Sequence, residues 1–108
     1  MTTNGNEPLV KLWIERNRLL KLANAAGKKA KSPDDVHERE CYALETKVYA
    51  IEGRIANTVA KSVEGLLVQT WLHGAVLKDS GAWIHTPALT RNVAKALERM
   101  AGPAVVGM

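Results

Sequence analysis

Three residues near the middle of the chain have the types and spacing of a metal site. His37, Glu38 and Cys41 read H-E-x-x-C, one residue away from the H-E-x-x-H helix of zinc proteases. Ligands at i and i+4 share a helix face, and an imidazole with a thiolate suits zinc. Such a site needs a third protein ligand, and none lies nearby in sequence. Cys41 also fits an apolar seam as a small hydrophobe. A nucleophilic Cys41 is disfavoured by its neighbours, because Glu38, Glu40 and Glu45 oppose a thiolate. His73 falls in an apolar helix and His85 in a loop, where packed or surface imidazoles are common. Asp34, Asp35, Glu38 and Glu40 cluster at a helix start, where carboxylates complement the positive dipole end. Neither a P-loop nor a G-x-G-x-x-G is present. The reading is of a chain that is not an enzyme, with no catalytic residue, no metal and no cofactor.

The elements that must carry these residues are helices. Leu9, Leu12, Leu19, Ala23 and Ala26, widened by Trp13 and Leu20, mark one face of a first helix over 8–26. Gly27 suits its left-handed cap. Ser32-Pro33-Asp34-Asp35 reads as the start of a second helix, with Ser32 capping and Pro33 in the first position. Cys41, Leu44, Val48, Ile51, Ile55 and Thr58 then recur at spacings of three and four. That heptad-like seam favours long antiparallel packing, so the two helices form an αα-hairpin. With the turn near residue 30, Arg16 is expected to pair with Glu45 at the edge of the seam.

A break over 57–61 precedes a third helix capped by Ser62. Val63, Leu66, Leu67, Val68, Trp71, Leu72, Ala75, Val76 and Leu77 cover most of its circumference. Such a helix is either central or shared with another subunit. A turn at Asp79-Ser80-Gly81 follows, and Trp83 and Ile84 anchor the loop. Thr86-Pro87 opens a fourth helix that buries Leu89, Val93, Ala96, Leu97 and Met100 and stops at Gly102-Pro103.

The expected fold is all-α, a small bundle of about four helices built on a long antiparallel αα-hairpin. A chain of 108 residues is one domain and needs no disulfide or metal to hold it. We read 1–7 as a disordered N-terminus, 8–102 as the helical domain and 103–108 as a flexible tail. A single cysteine and no signal pattern point to the cytoplasm. The most apolar stretch, 65–77, is too short and too polar to span a bilayer, so no membrane is expected.

The apolar excess of the third helix predicts a homodimer and a further, unidentified protein partner. Its interface is assigned to Leu66, Val68, Trp71 and Leu72. Tyr42 and Tyr49, seven apart on one flank of the second helix, either join a partner-binding surface or cover the third or fourth helix. Net charge is +4 but uneven. Residues 1–31 hold seven basic and two acidic residues, whereas residues 32–108 hold eight and nine. Lys28, Lys29 and Lys31 are the candidates for phosphate contacts, and a nucleic-acid-binding regulator is the alternative function. A helix-turn-helix over 55–78 is disfavoured, because its second helix is too apolar to enter a groove.

The junction Ile55-x-x-Thr58-x-Ala60-x-Ser62-x-x-Gly65 resembles the I-x-x-T-P-A-x-S-x-x-G pattern of small uncharacterised all-helical proteins from bacteria and prophages. Val59 stands here where proline is commoner. The resemblance implies a helical bundle and brings no activity with it. It extends over about 35–100 in layout, with only the junction distinctive.

Overall fold

The computed structural model describes residues 8–33, 35–79 and 84–101, the side chains of 77–79 and 101 excepted. The expectations for 1–7, 103–108, the Ser80-Gly81 turn, the Gly102-Pro103 stop and the anchoring role of Trp83 lie outside them. Four helices follow in order: α1 (Pro8–Lys29), α2 (Val36–Ala56), α3 (Val63–Asp79) and α4 (Thr86–Ala101). No strand occurs among the described residues. The bundle expected from the periodicities is present, with α1 and α2 packed closely as a hairpin.

The hairpin's register differs from expectation. α1 runs through Gly27 to Lys29, so Gly27 is not a cap. It faces α2 instead, with Cys41 Sγ 3.4 Å from where a Cβ would sit. The second helix is capped by Asp35, not Ser32, and Pro33 lies in the turn before it. Asp35 Oδ1 accepts from the His37 backbone N–H at 2.7 Å, and that bond holds its carboxyl below the ordinary aspartate value.

These shifts move the six-residue connection along the chain, from 27–32 to 30–35, and move Arg16's partner. Arg16 Nε and Nη2 both reach Glu52 Oε2, at 3.0 and 2.9 Å, while Glu45 bonds within α2 to Cys41 and Tyr49. The expected Arg16–Glu45 pair is therefore corrected to Arg16–Glu52. The residue numbers of facing pairs sum to 68, for Gly27 with Cys41 and for Arg16 with Glu52. The Arg16–Glu45 pairing would have summed to 61, so the real hairpin is slipped by seven residues, one heptad.

The core runs through Leu9, Ile55, Ala60, Val68, Leu72, Val76 and Ala96, drawing on every helix. Val68 and Leu72, assigned above to an interface, are 2% and 0% exposed in this core, which corrects that assignment. They lie on the side of α3 that faces the hairpin. Leu66 also packs against the core, partly buried.

The end of α2 is the polar centre of the fold. A helix leaves its last four carbonyls without helical partners. Here Asn57 N and Nδ2 donate to Gly53 O, and Thr58 Oγ1 donates to Arg54 O. Gln69 Nε2, from α3, donates to Ile55 O at 3.0 Å and to Thr58 O at 2.7 Å. Asn92 Nδ2, from α4, donates to Ala56 O at 2.8 Å. Gln69 and Asn92 are buried, so α3 and α4 finish the helix that precedes them. His85 closes against the same region, 3.0 Å from where a Cβ of Gly53 would be. Ser62 caps α3 as expected, its Oγ accepting from Gly65 N at 3.1 Å.

α4 departs from expectation at its C-terminal half. Leu89 and Ala96 are buried, but Leu97 and Met100 are exposed. The Cα trace measures 58 × 31 × 17 Å, with a radius of gyration of 16.5 Å. A compact domain of this length would have about 13 Å, so the molecule is a flat, open bundle.

Candidate interaction surfaces

Two surfaces have the chemistry to bind something. The first is the outward side of α3. Its buried residues, Gly65, Val68, Gln69, Leu72 and Val76, occupy one half of the helical wheel. Val63, Leu67, Thr70, Trp71 and Gly74 occupy the other half and are exposed. Val63, Leu67 and Trp71 keep 55%, 44% and 49% of their surface. No charged residue lies between Gly65 and Leu77, so this face is uncharged from Leu67 to Gly74, with Glu64 at its edge. Gly74 is open: a side chain there would meet nothing beyond its own stretch of helix.

Trp71 is held in place from below. Its ring lies 6.0 Å from that of Trp13, tilted at 35°. The Arg16 guanidinium sits 4.8 Å from the Trp13 ring centroid, and Glu52 fixes Arg16. A chain of contacts thus runs from α2 through α1 to the exposed edge of α3. Between α3 and α4 lies a half-open cleft of about 220 Å³ lined by Gln69, Thr70, His73, Leu89, Thr90 and Val93. Gln69 Oε1 is buried and has no hydrogen-bond partner among the described residues.

Of the interface residues expected from sequence, Trp71 is on this surface, Leu66 flanks it, and Val68 and Leu72 are beneath it. Val63 and Leu67 are exposed on it without having been singled out from sequence. The signal was available as the wheel positions left over once a single buried face is assigned to α3. Tyr42 and Tyr49 are exposed on α2, 74% and 60%, and Tyr49 donates to Glu45 Oε2.

The second surface is the side of α1 turned away from α2. Lys28 and Lys29 occupy the last turn of α1 and Lys31 the loop, all exposed. Lys11 and Lys21, not singled out by sequence, are exposed on the same helix.

The H-E-x-x-C residues do not converge. His37 Nδ1 lies 3.9 Å from Glu40, and Cys41 Sγ donates to Glu45 Oε1 at 3.0 Å. Among the described residues, no three His, Cys, Asp or Glu side chains form a metal-binding group. The hydrogen bond to Glu45, followed by burial, pushes the Cys41 thiol up to about 11. Compared with an ordinary thiol, that lowers the thiolate fraction near pH 8 by about 100-fold. Cys41 is therefore expected to react with iodoacetamide far more slowly than free cysteine, and Glu45→Gln is expected to accelerate it by at least tenfold. Equal rates in the parent and the variant would contradict this account of the thiol.

No helix of the described residues is long and apolar enough to cross a membrane. Comparisons of the chain with protein-family models, with curated proteins and with solved structures return no match.

Proposed function

We propose that this chain is a cytoplasmic, non-enzymatic helical interaction module that works as a homodimer through the outward face of α3. One observation carries the reading: that face is apolar, exposed and free of charge in a chain of net charge +4. Exposed apolar helix faces bounded by polar residues mark association sites. A second copy fits on two grounds. Like-charged chains repel, and this face brings no like charge across a two-fold axis. Pairing two α3 helices antiparallel about a point between Leu67 and Thr70 also sets Val63 of one copy against Gly74 of the other. A bulky residue then meets a gap at both ends. The resemblance of the α2–α3 junction to prophage-associated proteins supports a role as an accessory factor of phage or mobile elements, with a further protein partner.

Sedimentation equilibrium tests the reading. The parent is expected to be dimeric at about 1 mM chain, where any tighter Kd leaves mostly dimer. Leu67→Glu places two carboxylates near the axis and is expected to weaken association by about 100-fold with helicity unchanged. A monomeric parent at that concentration, or a dimer indifferent to Leu67→Glu, would overturn it.

A further inference from the structure

We propose that the outward face of α1 docks on the phosphate backbone of duplex nucleic acid. The argument begins with which cations are already occupied. Residues 8–31 contain seven basic side chains and one carboxylate, Glu15. Arg16 is neutralised by Glu52, and Arg18 makes a two-pronged bond to Glu15 at 3.0 and 2.6 Å. The five lysines, at 11, 21, 28, 29 and 31, are exposed and have no ion pair among the described residues.

Their placement makes a strip. On α1 the buried residues Leu9, Leu19, Ala23 and Ala26 face the hairpin, and the four helical lysines lie on the opposite side. Lys11 and Lys29 are eighteen residues apart, about 27 Å along the helix. The helix dipole accounts for cations in the last turn, at Lys28 and Lys29, but not for Lys11 or Lys21. Asn17, Lys21, Asn24 and Lys28 form an exposed row at spacings of four, three and four. Arg16 Nη1 donates to Asn17 Oδ1 at 2.9 Å, which turns the Asn17 Nδ2 donors outward. A row alternating ammonium and amide donors matches anionic oxygens repeated along a line, and lysine as a point charge needs no fixed geometry.

The same face selects among polyanions. Single strands bind on exposed aromatic platforms, and the one aromatic of α1, Trp13, is engaged by Arg16 and Trp71. Its large apolar residues, Ile14 and Leu22, are about 12 Å apart and interspersed with lysines and asparagines, too sparse for a helix that inserts among lipids. Strip length and composition suit a duplex, whose charges recur about every 1.7 Å of axis. The five lysines supply charge without fixed geometry, so the proposed binding is dominated by phosphates and independent of sequence.

The test is salt-titrated binding of the Leu67→Glu chain to a short mixed-sequence duplex, which isolates this strip from self-association. Five phosphate contacts predict a log–log salt slope of about −4.5 and a loss of about 500-fold between about 50 and 200 mM salt. Lys11→Gln with Lys21→Gln is expected to reduce the slope by about 1.8 with an unchanged circular dichroism spectrum. Absence of duplex binding at the lowest salt overturns the proposal, as does a slope indifferent to the two substitutions. Binding to phosphatidylserine-containing vesicles without binding to duplex also overturns it and reassigns the strip to lipid.

Discussion

Glu52→Ala is expected to destabilise the fold by about 3–5 kcal/mol, the usual cost of stranding one charge of a buried pair. The side chains of Arg16 and Glu52 are only 11% and 7% exposed, so water cannot replace the lost carboxylate. The loss also travels. Arg16 lies over Trp13, and Trp13 supports Trp71, so the edge of the α3 surface should loosen with the core. The double variant Arg16→Met/Glu52→Leu removes both charges and keeps apolar volume, and is expected to regain most of the stability. Urea unfolding followed by circular dichroism reads both. A single variant within about 1 kcal/mol of the parent would show that the pair is solvated and the account wrong.

Gln69→Leu is expected to cost about 2–4 kcal/mol, for a different reason. The substitution keeps an apolar body of similar length, so little packing is lost. What disappears is the one amide that serves both Ile55 O and Thr58 O. Stranding a buried carbonyl costs roughly 1–3 kcal/mol. Relief of the unpartnered Gln69 Oε1 recovers part of the total, and Ile55 O keeps a bond from Thr58 N at 3.4 Å. Amide exchange should accelerate first in the turn around Thr58. A variant as stable as the parent would mean that these carbonyls are met by water.

The sequence made the helices legible because their apolar spacing and caps are local signals. Ser62 is a clear case, since its role depends on residues three positions away. The hairpin register was not legible for a physical reason. Sliding α2 by seven residues superposes a heptad seam on itself, so periodicity scores the Glu45 and Glu52 pairings alike. Only the position of the connection separates them, and that turns on where α1 ends and on whether Ser32 or Asp35 caps α2. The α3 surface was half legible. Hydrophobic content showed that the helix had more apolar area than one neighbour covers, but not which side was left over. Choosing Val68 and Leu72 instead of Val63 and Leu67 was a choice of rotation about the helix axis, which α1 and α4 fix. Gln69 and Asn92 gave no sequence signal, because their partners are backbone groups 11 to 36 residues away.

The way α2 ends has a consequence for how the chain acquires its shape. The first two helices can zip together from nearby contacts as soon as both have been synthesised. The closing turn of the second, however, has acceptors whose donors are encoded later. Until residues 69 and 92 arrive, Asn57 and Thr58 hold that turn alone, with Ala56 O lacking a donor and Ile55 O served only by Thr58 N. Completing the end of the second helix therefore requires the downstream half to have docked.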